Sequence, residues 1–193
     1  MAGIAAYGTY VPYWRLERSA IGAALGGPAG RGARTVASYD EDTTSMAVEA
    51  GRAALAAAPP SITPEALVFA TSEAAYLDKT NANAIHAALA LNEGVGAYDM
   101  GGSVRSGLGA LRLGLAAAHP TLVALSDIRV GLAGGADERD GGDGAAAFLT
   151  APDGPLVAEL LSVASSSREF LDRWRIPGEH HSRLWEERFG EAV

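Results

Sequence analysis

The sequence contains no cysteine, only one lysine and no long apolar run. The missing cysteines exclude disulfide bonds, thiolate metal sites and a cysteine nucleophile, and they favour the cytosol. The longest apolar runs are too short to cross a bilayer, so we expect no membrane-spanning helix. The opening segment MAGIAAYGTYVPYW has no basic region, and Gly, Tyr and Pro interrupt the place of a signal core. We therefore expect no signal peptide.

The composition is that of a folded chain near the size of one domain. Of its 193 residues, 48% are hydrophobic and 20% are charged, which excludes a disordered chain. The net charge is −8 and the isoelectric point is about 4.9. A surplus of negative charge argues against non-specific binding of nucleic acid.

Short apolar runs alternate with segments of helical spacing, which predicts an α/β fold with a mixed sheet. Helices are predicted over residues 17–25, 43–57, 81–91 and 103–118. Asp42, Thr43 or Thr44 can cap the second helix, because an oxygen there accepts an unpaired N–H of the first turn. Strands are predicted near residues 3–10, 66–71, 96–100, 121–128, 145–149 and 157–163.

Two stretches rich in glycine are predicted as loops, residues 26–40 and Gly131–Gly144. The second one lacks the order of a phosphate-binding loop and the oxygen spacing of a calcium loop. The four histidines, namely His86, His119, His180 and His181, show no metal-ligand spacing. We therefore predict no metal site.

The turn from Gly101 to Gly107, GGSVRSG, joins a strand to a helix. A helix N-terminus presents unpaired N–H groups and a partial positive charge, and such an elbow is where many folds place a nucleophile. The same residues are also typical of a tight connection in which glycine serves the backbone alone. The spacing by itself leaves both interpretations open.

Glu73 directly follows the apolar strand ALVFATS, so it is expected at the carboxyl end of that strand. Open α/β sheets bind ligands at this edge, and a carboxylate there can act as a general acid or base. A solvated loop glutamate is the alternative.

Several segments together resemble a known family. DEDTTSMAVEA, residues 40–50, and the opening GIAAYGTYVP are similar to 3-hydroxy-3-methylglutaryl-CoA (HMG-CoA) synthases and to ketoacyl-ACP synthase III of the thiolase superfamily. ATSEAAYLDKTNAN, YDMGGSVRSGLGAL, LSDIR and GGDGAAAFL resemble the strands and loops that follow. FLDRWRIPGE and SRLWEERFGE resemble the segment beyond them, so the likeness covers nearly all 193 residues.

The resemblance assigns roles to individual residues. Glu73 matches the general acid/base glutamate of the family, and Val104 stands where the family has its nucleophilic cysteine. Ser103 lies one place early, and a shift of one residue on a helix turns a side chain by about 100°. Arg105 and Lys79 are candidate contacts for the phosphates of an acyl-CoA substrate, and no other cofactor is expected.

The resemblance also implies a fold and an organisation. The expected fold is a thiolase-like half, a mixed five-stranded-type sheet with helices on both faces. Residues 1–164 are predicted as the N-terminal thiolase-like domain, and residues 165–193 as a polar tail leading to a C-terminal half. The helices 43–58 and 103–118 are predicted to form an apolar layer that faces that half.

The implied partners are a second copy, paired through strand 96–100, and a C-terminal half or other protein. The implied activity is formation or cleavage of carbon–carbon bonds on acyl-CoA or acyl-carrier thioesters, as an acyltransferase or a cysteine-independent aldolase. A non-catalytic subunit that completes a partner's thioester site is the alternative.

Overall fold

The computed structural model describes residues 1–27, 30–169 and 173–184. Its helices are α1 (Arg18–Leu25), α2 (Thr43–Ala56), α3 (Asn81–Ala88), α4 (Arg105–Ala116) and α5 (Ala136–Asp140). Its strands are β1 (Gly3–Tyr10), β2 (Trp14–Glu17), β3 (Ala33–Val36), β4 (Ala66–Thr71), β5 (Gly96–Gly101), β6 (Thr121–Asp127), β7 (Gly144–Ala151), β8 (Ala158–Glu159), β9 (Arg173–Trp174) and β10 (Arg183–Leu184).

The chain divides into two compact units. Unit 1 comprises Met1–Trp14, Thr35–Ile128 and Asp143–Ser162. It holds a six-stranded sheet of order β5-β4-β6-β7-β1-β8. β4 runs parallel to β5 and β6, whereas β7 runs antiparallel to β6 and β1. The predicted mixed sheet is therefore confirmed.

These directions bring several strand ends to one edge of the sheet. Because β7 is antiparallel to both of its neighbours, β1 runs the same way as β4, β5 and β6. The carboxyl ends of these four strands therefore lie at the same edge as the start of β7. This is the edge at which α/β sheets bind their ligands.

Helices cover both faces of this sheet, as predicted. Leu67 and Phe69 of β4 pack in one cluster with α2 and α3 residues. The alternate residues Val68 and Ala70 pack in a second cluster with Ala110 of α4. Side chains alternate along a strand, so the apolar run of β4 supplies both faces with core residues.

Gly8 lets β1 approach α2 very closely. A Cβ atom at this position would lie 2.4 Å from the carbonyl oxygen of Ala50 and 2.3 Å from the nitrogen of Ala54. No side chain fits such a distance, so the contact requires glycine here and small residues along the facing side of α2.

The predicted apolar layer of two helices is wrong. α2 and α4 pack in different clusters on opposite faces of the sheet. α2 carries exposed Glu49 and Arg52, whereas α4 leaves Leu108 and Leu113 more than half exposed. Alanine-rich helices look alike in sequence, and only packing distinguishes their outer faces.

The strand predicted over 157–163 is shorter than expected. Only Ala158 and Glu159 pair with β1, and the nearby apolar residues Val157 and Leu161 are exposed. An apolar run forms a buried strand only where a neighbouring strand and a helix cover it. The loop predicted over residues 26–40 likewise contains the short strand β3.

Unit 2 comprises Arg15–Arg34, Arg129–Gly142 and Val163–Val193. Within it, the predicted loop Gly131–Gly144 contains the helix α5, so this prediction is wrong for residues 136–140. Two arginines from distant segments stabilise α5. Arg34 donates hydrogen bonds to the carbonyl oxygens of Asp137 and Glu138, and Arg173 pairs with the Asp137 carboxylate at 2.6 and 2.8 Å. The Arg173 hydrogen bond holds the pKa of Asp137 below its ordinary value.

The predicted division at residue 164 stays a prediction. Three of the tail aromatics, Phe170, Trp185 and Phe189, lie outside the described residues, and so does much of the segment SRLWEERFGE. No helix within residues 1–27, 30–169 and 173–184 has both the length and the apolar character to cross a membrane.

Phe69 is 1% exposed and is among the largest fully buried side chains. We expect Phe69→Ala to lower the free energy of unfolding by about 3–5 kcal/mol, because apolar contacts are lost and a cavity remains. Urea denaturation followed by circular dichroism measures this loss. The control is Tyr39→Ala at a fully exposed position, for which the change stays within about 0.5 kcal/mol. A loss below 1 kcal/mol for Phe69→Ala would contradict the assigned core.

Candidate functional site

A cavity of about 440 Å³ lies in unit 1, at the edge where the strands β1, β4 and β6 end. Tyr10 of β1, Thr71 of β4 and Asp127 of β6 line it together with the first residues of β7. Ser103 and Val104 complete the lining from the turn before α4. The cavity thus combines several strand ends with the predicted elbow.

The turn between β5 and α4 has the geometry of a sharp elbow. Gly102 has φ +103°, a left-handed conformation that favours glycine. Val104 precedes the first residue of α4 and is 51% exposed. Ser106 donates a hydrogen bond to the carbonyl oxygen of Gly101 at 3.0 Å, which holds the turn closed. Val104, the position that matches the nucleophile of the family, therefore lines the cavity but has no reactive group in its side chain.

Glu73 lies two residues beyond the end of β4. The segment that carries it is anchored to Asp127, which accepts hydrogen bonds from the Ser72 N–H at 2.7 Å and from the Ser72 hydroxyl at 2.8 Å. Glu73 is not among the described residues that line the cavity, although Thr71 and Asp127 beside it are. The structure therefore places Glu73 next to the cavity, at the carboxyl edge of the sheet.

The far end of the same loop is held by Asn81, which is 2% exposed. Its side chain accepts from the Tyr76 N–H and donates to the Tyr76 carbonyl oxygen, both at 3.0 Å. Asp99 of β5 in turn accepts from the N–H groups of Asn81 and Ala82 at 2.8 and 2.7 Å. Because both the oxygen and the nitrogen of the Asn81 side-chain amide bind the backbone of Tyr76, Asn81 fixes the shape of the loop.

Tyr10 is among the residues that line the cavity, and its hydroxyl is held by the segment before α2. This hydroxyl donates a hydrogen bond to Glu41, whose other oxygen accepts from the Ser38 N–H at 2.5 Å. The hydrogen bond to Glu41 raises the pKa of Tyr10 to about 12. Tyr10 is therefore a protonated hydrogen-bonding group over the whole physiological pH range.

The two predicted phosphate contacts lie apart from the cavity lining. Arg105 is the exposed first residue of α4. Lys79 is exposed on the loop after Glu73, and its Nζ atom lies 4.4 Å from the centre of the Tyr76 ring. A cation above an aromatic face is attracted by the ring, so Lys79 has a favourable contact with Tyr76 within its own loop.

Sequence reasoning missed Tyr10, Asn81 and Asp127. Asp127 ends a strand that the apolar pattern predicts, so its place at the carboxyl edge was a usable signal. The contacts of Tyr10 and Asn81 left no local signal, because they depend on how separate segments pack. Across residues 1–27, 30–169 and 173–184, no group of three or more His, Cys, Asp or Glu side chains is placed to hold a metal ion.

Sequence relatives agree with the resemblance noted above. The chain is 30% identical over 200 residues to a hydroxymethylglutaryl-CoA synthase of Methanopyrus kandleri, which covers 94% of this chain and 55% of that protein. The chain thus spans about half the length of such relatives. No protein-family model matches the chain.

Solved structures share the fold at low sequence identity. An HMG-CoA synthase complexed with CoA superposes with a TM-score of 0.78 at 18% identity, over 95% of this chain and 50% of that one. The 3-oxoacyl-(acyl carrier protein) synthase III of Pseudomonas aeruginosa superposes with a TM-score of 0.67 at 23% identity, over 79% and 51%. In sequence and in fold, this chain therefore corresponds to the N-terminal half of an HMG-CoA synthase-like protein of the thiolase superfamily.

Proposed function

We propose that this chain acts on acyl-CoA or acyl-carrier thioesters in carbon–carbon bond formation or cleavage, with a second half or partner completing the site. The observation that carries the proposal is the elbow Ser103–Val104 in the wall of a cavity at the carboxyl edge of the sheet. Similarity to HMG-CoA synthases, one of them solved with CoA, supports a CoA thioester as the substrate.

The chemistry assigns proton transfer to Glu73. Its carboxylate removes a proton from the carbon next to the thioester carbonyl, and the charge that develops on the thioester oxygen lies near the positive end of α4. The resulting carbon nucleophile forms a bond to the carbonyl carbon of a second substrate. The protonated Glu73 then gives this proton to the alkoxide that forms on the second substrate, so the step balances. The same steps in reverse order cleave the carbon–carbon bond.

Covalent acylation of this chain is not part of the proposal. Valine at position 104 has no nucleophilic atom, and the sequence holds no cysteine. Both thioesters therefore stay on their carriers during the proposed step, unless the partner supplies a nucleophile.

A non-catalytic subunit that completes a partner's thioester site is the second candidate. The observation that favours it is Val104, which has no nucleophilic atom, at the position where the resemblance places the family nucleophile. The two candidates differ in whether Glu73 exchanges a proton with a bound thioester.

Two surfaces of unit 1 suit the proposed partners. β5 forms one edge of the sheet and leaves Tyr98 60% exposed, and an open strand edge invites pairing with another strand. The outer side of α4 leaves Leu108 and Leu113 exposed, which suits an apolar face of a C-terminal half. We propose that a second copy pairs with β5 and that the second half covers α4.

The first experiment tests the elbow. We expect the wild-type chain to keep its mass when it is incubated with acetyl-CoA, and Val104→Cys to gain an acetyl group, because a thiol then stands at the nucleophile position. Intact-mass measurement reads both results. Leu108→Cys, one helical turn further and similarly exposed, is the control and stays unmodified. An acetyl group on wild-type Ser103 or Ser106, or equal labelling of both cysteine variants, would contradict the assignment.

A second experiment separates the two candidates. We expect the chain, co-expressed with the C-terminal half of the Methanopyrus kandleri relative, to exchange the acetyl protons of acetyl-CoA for deuterium in D2O. Glu73→Gln lowers the rate by about 10²–10⁴-fold, because the base is lost. Proton NMR follows the exchange, and Glu49→Gln on the exposed side of α2 is the control. Thioester binding without any exchange would favour the non-catalytic subunit.

A third experiment tests the pairing of β5. We expect a dimer for the wild-type chain and a monomer for Tyr98→Glu, because a charge would be buried between the paired strands. Light scattering after size-exclusion chromatography gives the mass. Tyr39→Glu at a fully exposed position is the control and leaves the mass unchanged. A wild-type chain that is monomeric at micromolar concentration would contradict the proposed pairing of β5.

A further inference from the structure

Glu73 sits on a segment whose backbone the sheet does not hold. The last residue pair between β4 and β5 joins Thr71 to Gly101, two residues before Glu73. Residues 72–80, all of which the structure describes, form neither helix nor strand. The peptide N–H and C=O of Glu73 therefore need hydrogen-bond partners from outside the strand ladder.

Two threonine hydroxyls satisfy these two groups. The Glu73 N–H donates to the Oγ1 atom of Thr71 at 3.0 Å. The hydroxyl of Thr43 donates to the carbonyl oxygen of Glu73 at 2.7 Å. Both threonines are buried, at 6% and 1% exposure. The peptide groups on either side of the Glu73 Cα atom are thus held from two different elements.

The two hydroxyls are themselves held in place. Thr71 donates its proton to the carboxylate of Asp127 at 3.2 Å, which leaves its oxygen free to accept from Glu73. Thr43 is the first residue of α2, directly after Asp42, which caps the helix through a reciprocal pair of hydrogen bonds with Ser45. A β-branched side chain has few rotamers when it is buried. Each hydroxyl therefore points in one defined direction.

The next residue of α2 holds the other end of the same loop. Thr44 is buried, and its hydroxyl lies 3.4 Å from the side-chain oxygen of Asn81. Asn81 in turn binds the backbone of Tyr76. Consecutive threonines at the start of α2 therefore contact both ends of the segment that carries Glu73.

We propose that Thr43 and Thr71 are positioning residues for Glu73, which hold its backbone, and with it the point from which its side chain extends, through its own peptide groups. The inference rests on the proposed role of Glu73 as the acid/base group. It assigns to the threonines of the DEDTT and ATSE segments a purpose that packing alone does not require, because valine would fill the same volume.

The experiment replaces each threonine by its isostere in the full chain. Thr43→Val and Thr71→Val replace each hydroxyl by a methyl group of similar size. Thr43→Ser keeps the hydroxyl at position 43. The control is Thr150→Val, because Thr150 is fully buried and its hydroxyl also donates to a backbone carbonyl, that of Thr121 at 3.1 Å. NMR of the labelled, ligand-free chain at a fixed pH measures the exchange rate of the Glu73 amide and the chemical shift of the Glu73 carboxyl carbon, which is assigned with Glu73→Gln.

We expect Thr71→Val to speed exchange of the Glu73 amide by about tenfold or more, because the amide loses its acceptor. Both valine variants change the chemical shift of the Glu73 carboxyl carbon at a fixed pH, and Thr43→Ser restores it. Thr150→Val changes neither readout, although it lowers the thermal stability to a similar extent. If Thr43→Val does not fold, Thr71→Val alone decides the result.

The inference is overturned if both valine variants show the same Glu73 amide exchange and carboxyl signal as the wild-type chain and lose as much stability as Thr150→Val. The two threonines would then have only a structural role. The readouts need no ligand, so their outcome is separate from the proposed function. If wild-type chain with its partner half shows no exchange of acetyl-CoA protons, the proposed function fails while the Glu73 readouts still decide the role of the threonines.

Discussion

Asp42 and Ser45 exchange two hydrogen bonds, at 2.7 and 2.8 Å, and so fix the first turn of α2. Much of unit 1 depends on where that turn lies. Gly8 allows α2 to pack directly against β1, which sets the height of the helix above the sheet. Thr43 and Thr44 then stand over the carboxyl end of β4 and contact the loop beyond it. A local capping interaction thus decides the geometry of a segment some 30 residues away.

The cavity is a consequence of strand direction. One antiparallel strand, β7, lies between β6 and β1, which both run the other way, so its first residues lie at the edge of the sheet where four strands have their carboxyl ends. The elbow before α4 lies beside them because β5 is paired with β4 in register up to Gly101. At this site the turn has the left-handed Gly102 and the N-terminus of α4, and Val104 places no reactive group in the cavity wall. The proposed function therefore assigns only electrostatic and proton-transfer chemistry to this chain.

The outer surfaces of unit 1 differ in a way that matters for assembly. α2 shows glutamate and arginine to solvent, whereas α4 shows leucines. The exposed leucines make α4 the helix of unit 1 that suits the apolar cover proposed above.

Local patterns in the sequence determined the elements whose signals are local. The apolar run of β4, a cap at one of Asp42, Thr43 and Thr44, and the strand-to-helix turn that begins at Gly101 are each read from a few neighbouring residues, and the structure selects Asp42 as the cap. The resemblance added the acid/base role expected of Glu73 and the match of Val104 to the position of the family nucleophile, which no periodicity contains.

The tertiary structure alone decided the rest. α5 forms in a glycine-rich stretch because Arg34 and Arg173, distant in sequence, bind Asp137 and its neighbour. β8 is only two residues long because a strand needs a partner as well as apolar residues. The hydroxyls of Thr43 and Thr71 meet the backbone of Glu73 only after α2 has packed on the sheet. A hydrogen bond between distant residues leaves no periodic pattern in the chain, so the sequence names these donors and acceptors but does not pair them.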